Sequence, residues 1–385
     1  MRHSTWAKEY KSKQIALYDR TFVLCAILIV VMGLVMVASS SMMVSTHSYN
    51  TPFHYLFRQI FSVVMGAILC AVVVQMPLRH IEKHSRILLI VALALLALVL
   101  VPGIGRSVNG SRRWLHLGPL NFQVSELAKL LYIIYLAGYL NRFRDKLVEN
   151  QRTVILPIII LGITSVLLLL EPDFGSAVVI AATTLGLLFL AGVRVRYFIL
   201  LISLALLALA ALAVVSPYRL LRLTSFLNPW ADQYGSGYQL TQSLIAFGRG
   251  GIGGVGLGES IQKLFYLPEA HTDFLFAVLG EEMGLIGMVT ILLLYAVFFW
   301  RVFVIGHRAY KERLFFAAFL AYGLGLWLSC QVLINIGVNV GLLPTKGLTL
   351  PLMSYGGSSL LTNFVLIGLI LRVDHQMRIH YMSQH

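Results

Sequence analysis

Hydrophobic residues along this chain gather in long unbroken runs rather than at the spacing of an amphipathic helix. A membrane crossing needs about 20 apolar residues, and ten runs approach that length, at about 21–39, 56–76, 86–101, 122–140, 153–170, 174–192, 195–215, 273–300, 314–341 and 356–371. The pattern predicts an all-α, polytopic integral membrane protein with about ten transmembrane helices, organised as a single transmembrane domain over residues 1–385. Two acids and a proline at Glu171-Pro172-Asp173 divide the fifth span from the sixth. Most connections are short, but 217–271, between the seventh and eighth spans, is a Gly-rich polar segment longer than a connector requires. Segments 102–121 and 341–356 also break the apolar pattern and are expected to be irregular.

Composition agrees with the pattern. Of 385 residues, 58% are hydrophobic and 12% charged, which is more apolar surface than a soluble fold hides. The net charge of +14 would point to nucleic acid in a soluble chain, but its distribution has another cause. With a cytoplasmic N-terminus, inside segments hold twenty of the 30 Lys and Arg residues, including Arg79, Lys83, Arg86 and Arg142, and outside segments hold eight. That is the positive-inside bias; it places both termini in the cytoplasm, makes 217–271 a large extracytoplasmic loop, and removes the reason to expect a nucleic-acid partner. The first run is long enough to be an uncleaved anchor. Cys25, Cys70 and Cys330 all fall in apolar runs, so neither a disulfide framework nor a clustered metal site is expected. No internal repeat supports the inverted duplication of many transporters.

Candidate chemistry lies on the outside segments and in a few charges at depth. Gly248-Arg249-Gly250-Gly251-Ile252-Gly253 satisfies a dinucleotide-binding string, but no βαβ context surrounds it; the glycines read as a tight turn, or as a stretch letting backbone approach a ligand or a neighbouring helix. Asp273 stands where the eighth span begins. Either Thr272 or Asp273 caps that helix, or Asp273 is a carboxylate partly shielded from water and suited to general base work; the readings are compatible. Glu281 and Glu282 fall about 12 Å deeper along the same helix, where they need partners or line a polar path. Glu126 and Lys129, three residues apart, share a helix face and either pair for packing or line a cavity. Arg112 and Arg113 suit a pyrophosphate or anchor the headgroup layer beside Trp114. Lys346 is a cation near the outer surface, suited to a phosphate, to a carboxylate such as Asp273, or to solvent.

These residues carry a family pattern. Asn109-Gly110-Ser111-Arg112-Arg113-Trp114, Ser125-Glu126-Leu127-Ala128-Lys129, Glu171-Pro172-Asp173-Phe174-Gly175, Pro268-Glu269-Ala270-His271-Thr272-Asp273-Phe274, and the stretch from Asn339 through Gly341-Leu342-Leu343-Pro344 to Ser354-Tyr355-Gly356-Gly357-Ser358-Ser359 run through nearly the whole chain. With them the chain resembles the SEDS family (shape, elongation, division and sporulation), and Thr345-Lys346-Gly347 looks like its division branch rather than its rod-elongation branch. Glu171 stands where the family often has glutamine. The resemblance implies a peptidoglycan glycosyltransferase that polymerises lipid II into β-1,4-linked glycan, releasing undecaprenyl pyrophosphate, in the bacterial cytoplasmic membrane at the septum. Asp273 matches the family's essential aspartate, with the role of general base. Glu126 and Lys129 match its central cavity and Asp173 its loop aspartate. Arg112, Arg113 and Lys346 are the candidates for pyrophosphate contact, and His271 and Ser354, inside the motifs, complete the substrate-binding set. The implied partners are a class B penicillin-binding protein (an FtsI-like transpeptidase), FtsQ, FtsL, FtsB and membrane lipid. No cofactor is evident; a divalent cation, Mg2+ or Mn2+, would arrive with the pyrophosphate. The rival class is a lipid II flippase, to which the charges at depth would offer a headgroup passage.

Overall fold

The computed structural model describes residues 18–108, 111–117, 120–215, 225–345 and 347–384. Each of the ten apolar runs falls on a helix. In chain order these are α1 (Arg20–Tyr49), α2 (His54–Gln75), the short α3 (Leu78–Lys83), α4 (Ser85–Leu100), α5 (Val124–Glu149), α6 (Ile155–Leu170), α7 (Phe174–Leu190), α8 (Val195–Val215), α9 (Tyr238–Gly250), α10 (Leu275–Lys311), α11 (Phe315–Asn339) and α12 (Gly357–Gln384). Six helices among the described residues are long and apolar enough to cross a membrane, and three shorter apolar ones accompany them. Apolar side chains therefore face both ways. Phe57, Phe61 and Ile68 of α2 are exposed, as a lipid-facing surface requires, while α5 and α11 bury nearly all their faces. These two form the centre, α11 packing on α5, α7 and α10 while α12 packs along α2.

Two features depart from the expected pattern. The first is that the chain is not wholly helical: β1 (Gly105–Val108), β2 (Ser111–Leu117) and β3 (Leu120–Gln123) form an antiparallel sheet in the order β1-β2-β3, with Arg106 opposite Trp114 and Leu115 opposite Phe122. Segment 102–121 is thus a small sheet rather than irregular chain. Strand pairing satisfies backbone groups that a loop beside lipid would leave open.

The second departure lies within 217–271, which contains α9, a helix with an apolar and a polar face crossing α10 so closely that a Cβ on Gly250 would stand 2.0 Å from the Gly280 carbonyl oxygen. Past α9 the glycines pair with α10 itself. Gly284 takes φ 63° and interrupts α10; across that break Leu285 N donates to Gly251 O, Ile286 N to Ile252 O, Val255 N to Glu281 O and Gly256 N to Glu282 O. A side chain at Gly254, with φ 81°, would strike the Glu282 carbonyl at 2.2 Å. Close approach to a neighbouring helix is what the glycines provide.

Candidate active site

A polar ladder climbs α11. Trp327, Gln331, Asn335 and Asn339 recur every four residues, on one face of the helix, and all are buried. At its lower end the Lys129 ammonium donates to Glu126 Oε1 at 2.7 Å and to Gln331 Oε1 at 3.3 Å, and lies 5.1 Å from the Trp327 ring centroid. Trp327 Nε1 donates to the same Gln331 oxygen at 3.0 Å. Glu126 Oε2 is buried without a hydrogen-bond partner among the described residues. The helical spacing of Glu126 and Lys129 therefore makes an ion pair that keeps one carboxylate oxygen uncommitted.

At its upper end the ladder holds the backbone around Asp273. Asn335 Nδ2 donates to the Asp273 carbonyl at 2.8 Å and to Leu348 O at 2.6 Å; Asn339 Nδ2 donates to the Asp273 carbonyl at 3.0 Å. One turn below Asn335, Gln331 Nε2 donates to Thr349 O at 3.1 Å. One helix face thus fixes both the segment entering α10 and the non-helical segment 341–356. The N-cap of α10 is Phe274, without a side-chain capping bond, so neither Thr272 nor Asp273 occupies that position; the Thr272 hydroxyl donates to Glu269 instead. Asp273 is half-buried, and its carboxylate stands against Gly347, where a Cβ would come within 3.1 Å of Oδ2. Lys346, the neighbour of Gly347, lies outside the described residues.

Aromatic rings flank this point. His271 packs 4.8 Å from Tyr55 and 5.6 Å from Tyr355, and its carbonyl accepts from Tyr355 N at 3.0 Å. Burial pushes the His271 pKa below its ordinary value, against the opposing pull of Glu269. Burial thus favours the neutral form of the ring. Ser354 is buried, with Oγ accepting from Leu350 N at 3.0 Å, and shapes the turn before α12.

On the other side of Gly347, Leu348 packs on Gly175, at the start of α7. Asp173 caps that helix, accepting from Ser176 N at 3.2 Å and Ser176 Oγ at 2.8 Å. Arg113 of β2 donates through Nε to the Glu171 carbonyl at 3.0 Å and through Nη2 to the Pro172 carbonyl, tying the sheet to the α6–α7 turn. Arg112 beside it is exposed. Glu171 is fully buried with both carboxylate oxygens unpartnered among the described residues, and its pKa is pushed up to about 9 by burial, with Asp173 adding and Arg113 opposing.

The structure thus gathers Asp273, His271, Gly347 and the 341–356 segment at one end of the α11 ladder, with Glu126 and Lys129 at the other. Glu281 and Glu282 belong to a different group. Glu281 accepts from Arg249 Nη1 at 2.7 Å, from Ser260 Oγ and from Ile261 N at 3.1 Å; Glu282 accepts from Lys263 Nζ at 2.8 Å and Ser39 Oγ at 2.6 Å. Sequence reasoning missed the contributions of Gln331 and Asn335. Their signal was polar side chains four apart, in register with Asn339, inside an apolar run.

Comparison with known proteins bears on the whole chain. The family model described as "Cell cycle protein", that of FtsW, RodA and SpoVE, matches residues 19–379. A probable peptidoglycan glycosyltransferase FtsW from Legionella pneumophila is 55% identical over 377 residues, covering 98% of this chain and 96% of that protein. Its counterpart of the same name in Coxiella burnetii is 54% identical over 359 residues, covering 93% and 96%. A chain from a structure of a peptidoglycan synthase complex, concerned with the coordination of polymerization and crosslinking, superposes with a TM-score of 0.76 at 32% identity, covering 94% of this chain and 98% of that one. The rod shape determining protein RodA of Thermus thermophilus superposes with a TM-score of 0.69 at 30% identity, covering 93% and 97%. In sequence and in fold alike, the chain belongs to the SEDS family of FtsW, RodA and SpoVE cell cycle proteins.

Proposed function

We propose that this protein is a cell-division peptidoglycan glycosyltransferase, polymerising lipid II into β-1,4-linked glycan at the septum. It works from the bacterial cytoplasmic membrane, which it crosses ten times with both termini in the cytoplasm, so that Asp273 faces outward. The names of the relatives support this reading. The observation that carries it is the setting of Asp273: a half-buried carboxylate against Gly347, its own backbone held by Asn335 and Asn339.

Asp273 takes the proton from the 4-hydroxyl of the acceptor GlcNAc as that oxygen attacks C1 of the donor MurNAc. The bond from C1 to the pyrophosphate oxygen breaks, undecaprenyl pyrophosphate departs with the electron pair, and the anomeric centre inverts from α to β in one displacement. Cations must meet the charge developing on the leaving group, and Arg112, exposed beside the site's sheet, and Lys346 are suited to it. Arg113 acts by holding the α6–α7 turn through its two carbonyl contacts. A divalent cation would be carried in by the pyrophosphate itself.

The chain that superposes on this one comes from a synthase complex that coordinates polymerization and crosslinking, which supports a class B penicillin-binding protein as partner; FtsQ, FtsL and FtsB are proposed with it on the family resemblance alone. The flippase alternative drew on Glu281, Glu282, Glu126 and Lys129; of these, Glu281 and Glu282 are engaged by Arg249, Lys263, Ser39 and Ser260, which supports a structural role for that pair. Purified protein with its penicillin-binding partner is expected to make glycan polymer from labelled lipid II. Movement of lipid II across liposomes with no polymer in any condition would replace this reading by transport.

A further inference from the structure

At the end of the molecule away from Asp273 lies a basic groove that the reaction above does not use. α2 carries Tyr55 against His271 at one end, and its 22 residues, rising about 1.5 Å each, lead to α3 at the other. There a groove of about 450 Å3 is lined by Arg79, Glu82 and Lys83 of α3, Arg86 of α4 and Arg142 of α5. Four cations face one carboxylate. Among the described residues none of the four forms an ion pair, and Glu82 accepts instead from Asn141 Nδ2 at 2.6 Å.

Arg142 is built into this groove. Its Nη1 donates to Ser85 Oγ at 3.0 Å, an approach permitted by Gly138, where a Cβ would stand 2.8 Å from that hydroxyl. Its Nε is buried and has no partner among the described residues. A buried cationic N–H left open is costly, and a planar guanidinium fork fixed in place suits a phosphate oxygen. The N-cap of α4, His84, makes no side-chain capping bond, so amides at the start of that helix point the same way electrostatically. Directly beyond Arg86, Ile87 and Ile90 are 56% and 64% exposed, and Met76 at the end of α2 is 44% exposed. Apolar side chains thus run from the cationic cluster into the lipid-facing surface.

We propose that this groove binds the phosphate headgroup of an anionic phospholipid, with its acyl chains lying along the exposed faces of α2 and α4. The excess of cations favours a headgroup with net negative charge over a zwitterionic one, and the adjoining apolar stripe favours a lipid over free phosphate. The site is independent of the polymerisation reading, which is used only to name its leaflet as the cytoplasmic one.

Native mass spectrometry of the full chain, released from detergent with cardiolipin, phosphatidylglycerol, phosphatidylcholine or inorganic phosphate, tests the assignment. Wild type is expected to retain the two anionic lipids over phosphatidylcholine, and a variant carrying Arg79→Gln, Lys83→Gln and Arg86→Gln is expected to bind them about 100-fold more weakly. A second variant, Arg79→Lys with Arg86→Lys, keeps the charge and is expected to bind within about tenfold of wild type. Melting curves show whether each variant is folded, and added anionic lipid should raise the melting temperature of wild type but not of the folded triple variant. Equal retention of phosphatidylcholine, unchanged binding by the triple variant, or displacement of lipid by inorganic phosphate would overturn the proposal. The readout is lipid retention, so a preparation that makes no glycan still gives an answer.

Discussion

Among the groups of charge buried in the helical body, two differ in how completely they are satisfied. The Glu281 and Glu282 carboxylates together take contacts from Arg249, Lys263, Ser39, Ser260 and the Ile261 amide, and every carboxylate oxygen has a partner. The Glu126–Lys129 pair is equally buried, yet Glu126 Oε2 has no partner among the described residues and the ammonium reaches toward the ladder that ends at Asp273. The first group is a clasp, fixing α9 and the following loop against α1 and the interrupted stretch of α10. The second is a polar pair kept partly uncommitted, at the opposite end of the α11 ladder from Asp273. Depth in the membrane alone does not separate them; the count of partners does.

The sharpest way to break the comparison is Glu282→Ala, which strands the Lys263 ammonium in a buried place. A loss of about 3–5 kcal/mol is expected, seen as a lower melting temperature and poor folded yield in detergent. Replacing both partners of each pair separates the clasp from the uncommitted pair. Glu126→Gln with Lys129→Met should keep stability within about 2 kcal/mol while polymerisation falls by about 100-fold. Glu282→Gln with Lys263→Met should leave polymerisation within about tenfold of wild type. Activity lost equally in both double variants would erase the distinction.

A smaller effect concerns another buried carboxyl, outside both groups. Glu171 holds a proton in the folded state up to about pH 9, against an ordinary value of 4.5. The unfolded chain releases that proton above its ordinary value, so the folded state loses stability as pH climbs from there toward 9. Glu171→Gln keeps the shape without the proton and should match wild type near pH 5, then exceed it by about 1–3 kcal/mol at alkaline pH. Parallel melting curves across that range would contradict the buried, protonated carboxyl.

The apolar runs made the helices legible because a bilayer demands continuous hydrophobicity, and acids at 281 and 282 inside such a run announced buried partners in advance. The partners themselves were not legible: Ser39 lies 243 residues from Glu282 in the chain, and only folding brings them together. The sheet at 105–123 was not legible, because Arg112 and Arg113 mask the alternation of its central strand. α9 was hidden by the glycines that follow it, whose role needed the break at Gly284 to become visible. Asp273 was placed by motif, whereas its support by Asn335 and Asn339 depends on a stripe that the hydropathy of α11 obscures.

The central claim is that Asp273 serves as the base of a glycan polymerase. The direct measurement is polymer formation from labelled lipid II by wild type and Asp273→Asn, each purified with the penicillin-binding partner at equal folded yield. The account predicts polymer from wild type and a fall of at least about 100-fold in the variant, while the contacts of the α11 asparagines to the Asp273 backbone carbonyl are kept. Polymer made by the variant at the wild-type rate would contradict it.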